Sequence, residues 1–266
     1  YFLLWNYFLL KVLLIYFQIL VMSKNVIVVP TYNEMGNIEI TLKKIENLKY
    51  NFDVVVVDDN SPDGTGDFVQ KAISNKTYEY NLILIRRDGK NGLGTAYIEG
   101  FKKCLELKYD YIFQLDCDGS HNPDQLIDLY DELKSKRADI VIGSRYIKGI
   151  TVINWPLSRL LLSYFANYYV KVVTGLKIND STGGFNGYSF NALNSITKNK
   201  SFFKGYAFQI HFKFIGSKLG FKVTVIHIIF KDREIGDSKM SMNIPGEAFF
   251  GVIYMKVLSL IKKHRR

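Results

Sequence analysis

Short apolar runs alternate with segments of helical period from Asn25 onward, and this alternation limits the chain to few folds. The apolar runs are NVIVVP from Asn25, DVVVVD from Asp53, NLILIR from Asn81, YIFQLD from Tyr111 and DIVIGS from Asp139. The segments of helical period between them are residues 37–49, 67–74, 94–107 and 123–136. Strands and helices that alternate at this length predict an α/β fold, in which a mainly parallel sheet is covered by helices on both faces.

After Arg145 the pattern becomes richer in helix. We expect, in order, a helix over 158–174, a glycine-rich stretch over 181–187, a helix over 206–219, a strand over 223–230, a loop over 231–242 and a helix over 246–263. Tyr164, Phe165, Tyr168 and Tyr169 are interpreted first as core packing and second as an interfacial aromatic belt. No internal repeat or low-complexity linker interrupts the chain, so one domain over 23–245 is predicted, followed by an amphipathic basic helix over 246–266.

The first 22 residues are almost wholly apolar, which is close to the roughly 20 needed to cross a bilayer. Lys11 near the middle costs about 2.5–3.5 kcal/mol on an insertion scale, whereas each Leu, Ile, Phe or Val returns only about 0.3–0.6 kcal/mol. No small-residue cleavage site follows, so a removable signal peptide is not expected. Two hypotheses remain open: the native chain starts at Met22, or residues 1–21 form a single membrane anchor shortened at its front.

Polar clusters follow the predicted strands at the points where they end. The clusters are Thr31 to Glu34, Asp58 to Asn60, Arg86 to Asp88 and Asp116 to Asp118. Ligands of open α/β sheets bind beyond the carboxyl ends of the strands. We therefore expect the four clusters to line one cleft.

The charge balance favours an anionic partner. The chain has 35 Lys and Arg against 25 Asp and Glu, a formal net charge of +10, which suits nucleic acid, a membrane surface or a phosphorylated substrate. Cys104 and Cys117 have neither the number nor the spacing of a zinc site or a disulfide framework. A reducing compartment is the default expectation.

Asp116 and Asp118 are one residue apart at a strand end, where an extended chain would point them to opposite faces. The chain must turn there, which Gly119 makes easy. Two carboxylates so close are natural ligands for a hard cation such as Mg²⁺, which takes one or two carboxylates and substrate phosphates. The spacing alone leaves an acidic, solvated turn as an equal alternative.

The neighbouring loops suit a nucleotide. The run Asp58 to Thr65 has more carboxylates than its turn needs, and Asp63 or Asp67 could cap the next helix, which leaves one acid for a nucleobase edge or ribose. Arg87 to Gly94 is a basic loop that opens a helix, and backbone amides at a helix start bind phosphate. The dinucleotide fingerprint is incomplete, however, and the GxxxxGK[ST] phosphate loop is absent.

Seven motifs, taken together, carry a family resemblance. They are PTYNE from Pro30, VVDDNSPDGT from Val56, GLGTAY from Gly92, DCDGSHNP from Asp116, GSRY from Gly143, NWPLSRLLLS from Asn154 and DREIGDSKM from Asp232. In this order they resemble the polyprenol-phosphate mannosyltransferases of the dolichol-phosphate mannose synthase type, in glycosyltransferase family 2. The resemblance implies a GT-A fold and inverting, metal-dependent transfer of mannose from GDP-mannose to a polyprenyl or dolichyl phosphate.

The resemblance also implies roles for individual residues. The implied donor-nucleotide residues are Pro30, Tyr32, Glu34, Asp59, Asp116 and Gln209. The implied ligands of Mg²⁺ or Mn²⁺ are Asp116, Asp118 and, as a weaker donor, Ser120. The implied acceptor-phosphate residues are Arg159, Ser163 and Lys239, and the implied catalytic residues are Asp118, Arg145 and Arg233.

The chemistry of such a transfer places few demands on the protein. A phosphate monoester has a second pKa near 6, so the attacking oxygen needs no general base and no catalytic His is required. The reaction needs a metal for the leaving diphosphate and cations that hold two anions in line. Surface ion pairs remain the alternative for Arg145 and Arg233, and snorkelling at a membrane surface for Arg159. Unspecialised helix positions remain the alternative for Ser163 and Gln209.

Two other functions stay open. A UDP-glucose-dependent polyprenyl-phosphate glucosyltransferase has the same fold, although GSRY, STGGF, GYAFQ and DREIGDSKM favour mannose. A non-catalytic membrane or nucleic-acid binding module would explain the charge but leaves the aspartates at the strand ends unexplained, so no nucleic-acid partner is expected. A processive polysaccharide synthase is disfavoured because the QxxRW motif is absent.

The sequence GVIYMKVLSLIKKHRR at the C-terminal end is too short and too charged to span a bilayer, and is expected to lie on an anionic surface. We therefore expect a membrane-associated protein whose site faces the cytoplasm, at the endoplasmic reticulum in a eukaryote or the plasma membrane in a bacterium. It would attach by itself or through a small membrane-embedded regulatory subunit.

Overall fold

The computed structural model describes residues 23–199, 203, 205, 207–233 and 244–261, with the side chains of the last range from residue 249. The apolar segment 1–22, Lys239 and the basic end 262–266 lie outside the described residues. Within the described part of the chain, no helix has both the length and the apolar character that crossing a bilayer requires.

Nine strands and eight α-helices make up the described part of the fold. The strands are β1 Asn25–Thr31, β2 Asp53–Asp58, β3 Leu82–Arg86, β4 Tyr111–Gln114, β5 Ile140–Ser144, β6 Val152–Ile153, β7 Asn186–Ser189, β8 Val223–His227 and β9 Phe230–Lys231. The helices are α1 Met35–Glu46, α2 Thr65–Ser74, α3 Leu93–Glu106, α4 Leu126–Lys134, α5 Leu157–Thr174, α6 Phe190–Lys198, α7 Ala207–Lys218 and α8 Ile244–Ile261. A short 3-10 helix, Pro123–Gln125, precedes α4.

Seven strands form one sheet in the order β3-β2-β1-β4-β7-β5-β8, and β6 pairs with β9 in a separate parallel pair. Within the large sheet, only β7 is antiparallel to its neighbours β4 and β5. The mainly parallel sheet that the alternating pattern predicts is therefore confirmed.

Both faces of the central strands β1 and β2 are buried, which explains why their sequences are continuous apolar runs instead of alternating. Val26 and Val28 of β1 face a cluster that includes residues of α3, α6 and α7. Ile27 and Val29 of the same strand face a second cluster, formed with α1, α2 and α4. The predicted covering of helices on both faces is confirmed.

The sequence pattern missed β7 and α6, which lie where a glycine-rich stretch and an unassigned segment were expected. β7 begins with Asn186 and Gly187, so it has no apolar run to mark it. Gly187 is needed because a Cβ there would lie 2.8 Å from the Phe113 ring. The glycine that this close packing requires is typical of loops, so the sequence of β7 predicts a loop and not a central strand.

The strand expected over 223–230 was also wrong in detail, because the chain leaves the large sheet after His227 and forms β9 separately. The C-terminal helix begins at Ile244, two residues earlier than predicted. Its predicted end lies outside the described residues.

Gly100 is expected to be a sensitive position in α3. A Cβ at Gly100 would collide with Val28 Cγ1 and approach Val57 Cγ2 to 3.1 Å. Overpacking of this kind costs about 1–3 kcal/mol, so Gly100→Ala should lower the urea midpoint of unfolding. Gly89→Ala is the matched control, since a Cβ there meets nothing within 4 Å. Equal midpoints for the two variants would contradict this close packing of α3 on the sheet.

Candidate active site

A cavity of about 470 Å³ opens at the carboxyl end of β4, between α5, α7 and α8. Its polar lining includes Asp116, Asp118, Arg145, Arg159, Gln209 and Arg233. Its apolar lining includes Leu162, Phe165, Tyr169, Val170, Phe249 and Val252. The charged groups come mainly from segments that follow β4, β5 and β9, here called the polar end, and the apolar side chains come from α5 and α8, here called the apolar end.

Asp116 and Asp118, here called the acid pair, follow β4 where the chain turns through Gly119 at φ 73°. The Tyr97 hydroxyl donates to Asp116 Oδ1 at 2.7 Å. Asp118 Oδ1 accepts from the backbone N–H and the hydroxyl of Ser120, at 3.1 and 2.6 Å. The predicted turn is confirmed, and neighbouring donors hold the carboxylates at fixed orientations.

The two acids differ in their tendency to ionise. Burial raises the pKa of Asp116 above its usual range, and the neighbouring charge of Asp118 raises it further. Burial also opposes the ionisation of Asp118, but the hydrogen bonds of Ser120 and the charges of His121 and Arg233 outweigh it and keep its pKa low. A cation beside the pair would offset both effects and favour the ionised form of Asp116.

The acid pair suits a divalent cation by its donor chemistry. Among the described residues, no group of three or more His, Cys, Asp or Glu side chains is arranged to hold a metal. An ion here would therefore take Asp116 and Asp118 and complete its shell with substrate oxygens and water, which is typical of Mg²⁺. The Ser120 hydroxyl, the weakest of the predicted ligands, donates to Asp118 in this structure.

The predicted donor-nucleotide residues fall into two places. Asp116 and Gln209 line the cavity. Pro30, Tyr32, Glu34 and Asp59 lie at the ends of β1 and β2, outside the cavity lining. Glu34 is near enough to raise the pKa of Asp116 as a minor contributor, so the second place adjoins the acid pair.

Side chains at the ends of β1 and β2 form a small polar group. Asp59 pairs with Arg87 at 2.6 Å, and both side chains are buried. Lys90 lies 4.8 Å above the ring of Tyr32. The Asn37 side chain donates to Glu34 at 2.7 Å. The aromatic ring, the two cations and the carboxylates offer the kinds of contact that a base, a phosphate and a ribose require.

Arg145 follows β5 and lies in a buried ion pair, which makes the surface ion pair considered from the sequence wrong for this residue. Its Nε and Nη2 donate to the two oxygens of Asp180, each at 2.7 Å. A third bond runs from Nη2 to Thr182 at 3.0 Å. The guanidinium therefore faces the cavity in a fixed orientation.

Arg233 pairs with Asp118 at 2.8 Å, so the cation and the acid predicted as catalytic lie in contact. Arg159 on α5 donates to Asp232 at 2.7 Å and stacks 4.3 Å from the Trp155 ring. The Ser163 hydroxyl, one turn further on, shares a hydrogen bond with Tyr146 at 2.7 Å. Asp232 and Tyr146 lie outside the cavity lining, which includes the other residues of this group: Asp118, Trp155, Arg159, Ser163 and Arg233.

Gln209 is oriented by a buried amide network that the sequence did not predict. Asn186 donates to Gln209 Oε1 at 3.0 Å and to Gln114 Oε1 at 2.7 Å. With its oxygen bound to Asn186, the Gln209 amide has its nitrogen on the side of Gly184. Asp116 lies close to the same glycine: a Cβ built on Gly184 would be 3.3 Å from Gln209 Nε2 and 3.4 Å from Asp116 Oδ2. The Gln209 amide therefore presents a donor beside the acid pair.

Sequence reasoning also missed Tyr97, Asp180 and Lys213. Tyr97 lies in the GLGTAY motif, but nothing in the motif shows that its hydroxyl reaches Asp116. Lys213 did carry a signal, because it is a lysine within the otherwise buried helical sequence AFQIHFKFIG. Asp180 carried none that distinguishes it from a loop aspartate.

The outer faces of α5 and α8 are exposed and apolar. Tyr164, Phe165 and Tyr168 are 53%, 61% and 63% exposed, so the first interpretation of the aromatic cluster as core packing was wrong for these residues. Tyr169 instead stacks on Phe249 of α8, with ring centroids 4.8 Å apart. This apolar surface adjoins the apolar end of the cavity.

Comparison with known proteins gives consistent matches. Residues 26–197 match the Glycosyl transferase family 2 domain. The undecaprenyl-phosphate mannosyltransferase of Micrococcus luteus is 40% identical over 225 residues, which are 85% of this chain and 90% of that protein. The polyprenol monophosphomannose synthase of Mycolicibacterium smegmatis is 42% identical over 163 residues, 61% of each chain.

Among solved structures, the mannosyltransferase PcManGT from Pyrobaculum calidifontis, in complex with GDP-Man and Mn²⁺, superposes with a TM-score of 0.56. The match covers 92% of this chain and 66% of that chain at 16% identity. At such low identity the likeness bears on the fold alone.

The buried Arg145–Asp180 pair is expected to matter for stability. Asp180→Asn would leave Arg145 and the nearby Lys213 buried without a counter-charge, which typically costs about 3–5 kcal/mol. Urea denaturation would measure the loss. Asp67→Asn is the matched control, because the Asp67–Arg86 pair has the short N–O distance of 2.6 Å but is exposed, and such pairs contribute about 0–1 kcal/mol. Similar losses for both variants would contradict the buried role of Asp180.

Proposed function

The chain belongs to glycosyl transferase family 2 as a polyprenol-phosphate mannosyltransferase with the GT-A fold, and we propose that it transfers mannose from GDP-mannose to a polyprenyl or dolichyl phosphate. In the proposal the transfer inverts the anomeric centre and uses Mg²⁺ or Mn²⁺. The observation that carries it is the cavity itself, which brings the acid pair and three arginines together with the apolar side chains of α5 and α8.

The apolar end of the cavity supports a lipid acceptor. Leu162, Phe165 and Val252 can contact an isoprenoid chain, which leaves its phosphate toward Arg159 and Ser163. Stacking on Trp155 and pairing with Asp232 hold Arg159 in place. Planar guanidinium groups suit phosphate because they donate two parallel hydrogen bonds.

The polar end of the cavity supports a nucleotide-diphosphate donor. A divalent cation bound at Asp116 and Asp118 would stabilise the negative charge on the departing diphosphate. Tyr97 and Ser120 orient the two carboxylates, and Gln209 presents its amide beside them. Arg233 pairs with Asp118 at 2.8 Å and places its positive charge at the same end.

The residues favour a single displacement. The acceptor phosphate is largely dianionic at neutral pH, so its oxygen attacks the sugar without giving up a proton. Attack from the apolar end, opposite the leaving diphosphate, inverts the anomeric configuration. The contribution of Arg145 is to hold the two anions together, for which the bidentate contact with Asp180 fixes its direction.

We place the enzyme at a membrane surface with its site toward the cytoplasm. The exposed apolar faces of α5 and α8 would lie in the interface, where the lipid phosphate is found. Arg159 would then both snorkel and bind phosphate. A small membrane-embedded partner stays a prediction from the sequence.

Purified protein should transfer mannose from GDP-mannose to a polyprenyl phosphate, and a chelator should stop the transfer. Asp118→Ala should lower the rate by about a hundredfold or more, because it removes a proposed ligand of the cation that stabilises the negative charge on the leaving diphosphate. Asp124→Ala, which removes an exposed acid a few residues further on, is the matched control.

Three outcomes would contradict this proposal. Transfer from UDP-glucose but not from GDP-mannose would favour the glucosyltransferase. Full activity with chelator or in Asp118→Ala would exclude the cation at the acid pair. Absence of transfer from either donor, with tight binding of the folded protein to vesicles, would favour a non-catalytic membrane module.

Arg159 is expected to act on the acceptor alone. A hydrogen bond to a charged group contributes about 1.5–3 kcal/mol, so Arg159→Gln should raise the KM for polyprenyl phosphate by roughly ten- to a hundredfold. The KM for GDP-mannose should stay near that of the wild type. Arg137→Gln, which breaks the exposed pair with Glu132, is the control. A rise in the donor KM instead would reject the acceptor role of Arg159.

A further inference from the structure

Lys213 is a fully buried lysine that the proposed reaction does not use. It lies on α7, one turn after Gln209. Its Nζ donates to the backbone carbonyls of Asp180 and Ser181, each at 3.1 Å, and of Gly183 at 2.6 Å. An ammonium has three N–H donors, and these three contacts use all of them.

All three acceptors belong to residues 180–184, here called the 180–184 loop, which precedes β7. Other parts of the fold also hold this loop. Asn167 of α5 accepts from the Ser181 N–H and hydroxyl at 2.7 and 2.8 Å, and the Asp180 carboxylate holds Arg145. The loop is therefore fixed between α5, α7 and the end of β5.

The loop is also a wall of the reaction cavity. Thr182, Gly183 and Gly184 line it. Gly184 lies against Asp116 and Gln209, so closely that a Cβ there would be 3.4 Å from Asp116 Oδ2. A displacement of the loop would therefore move the wall beside the acid pair and, through Asp180, the guanidinium of Arg145.

The choice of lysine at this position needs an explanation beyond packing. An unbranched apolar side chain of similar length would fill the same space without the cost of burying a charge. Such a side chain would, however, have no N–H donors for the three backbone carbonyls that Lys213 Nζ binds. Burial lowers the pKa of Lys213 to about 7, while Asp180 opposes this shift and Arg145 adds to it.

We propose that Lys213 is a positioning residue whose ammonium group fixes the 180–184 loop and, through Asp180, sets the orientation of Arg145 toward the reacting groups. The proposal rests on the proposed function for the role of Arg145 and for the assay. The contacts that Lys213 makes are a property of the fold.

Three variants of the full-length protein separate positioning from stability. Lys213→Met keeps the length of the side chain and removes every donor, and Lys213→Gln retains an amide that donates two hydrogen bonds. Phe212→Leu is the matched control, because Phe212 is buried on the same helix but packs against Phe101 and Tyr188. Each variant is assayed for mannosyl transfer and for amide hydrogen exchange over residues 181–184.

We expect Lys213→Met to lower kcat by about a hundredfold, the loss typical of a 1 Å misplacement in an active site, with a smaller change in the KM for GDP-mannose. Exchange of the loop amides should become faster. Lys213→Gln should recover part of both, and Phe212→Leu should leave kcat and the loop amides near wild type even if its unfolding midpoint falls.

Several outcomes would overturn the proposal. Wild-type kcat in Lys213→Met would exclude a positioning role, and faster exchange with unchanged kcat would reduce Lys213 to a stabilising residue. Equal losses in Phe212→Leu would assign the effect to stability. If Lys213→Met does not fold, Lys213→Gln decides by the same criteria. If the wild type transfers no mannose while the exchange pattern is as expected, the proposed function fails and the fixing of the loop stands.

Discussion

The parallel pairing of β1 with β2 and β4 is the constraint on which the rest of the structure depends. Val28 of β1 lies opposite Gln114 of β4, and Val29 lies opposite Val56 of β2. Because the three strands run in one direction, they end at one edge of the sheet. The acids that follow them meet there, although dozens of residues separate them in the chain. Helices cover both faces of these strands, so a one-residue slip in register would move each side chain to the opposite face and misplace the acid pair.

Much of this fold could be predicted from local pattern. The first five strands, the helices between them and the turn at Asp116–Asp118 each have a signal within a few residues, and the motif set identified the family. β7 could not be found in this way, because Asn186 and Gly187 have low strand propensity. They fit this position through their contacts with Gln114 and Phe113. The aromatic residues of α5 were assigned to the core because periodicity reports an apolar face and not what covers it.

The site was predicted less completely than the fold, for a related reason. A motif names the residues that can contact a ligand but not those that hold them in place. Arg145 was expected as a cation of the site, whereas its buried partner Asp180 was not. The same holds for Tyr97 behind Asp116 and Lys213 behind the 180–184 loop. These contacts join residues far apart in sequence, so they cannot be predicted from a single sequence without knowledge of its fold.

The reversed direction of β7 has a further consequence. In a parallel sheet, the segments at the carboxyl edge are those that follow strands. β7 runs the other way and begins at that edge, so the 180–184 loop precedes its strand, whereas the other loops of the site follow theirs. β7 also separates β4 from β5, and its partners in β4 lie more than 70 residues earlier, as Ile112 opposite Tyr188 illustrates. Long closures of this kind form slowly. We therefore expect a refolding chain to regain its helices and first strands before the two halves of the sheet are joined, and the candidate site to be among the last parts to assemble.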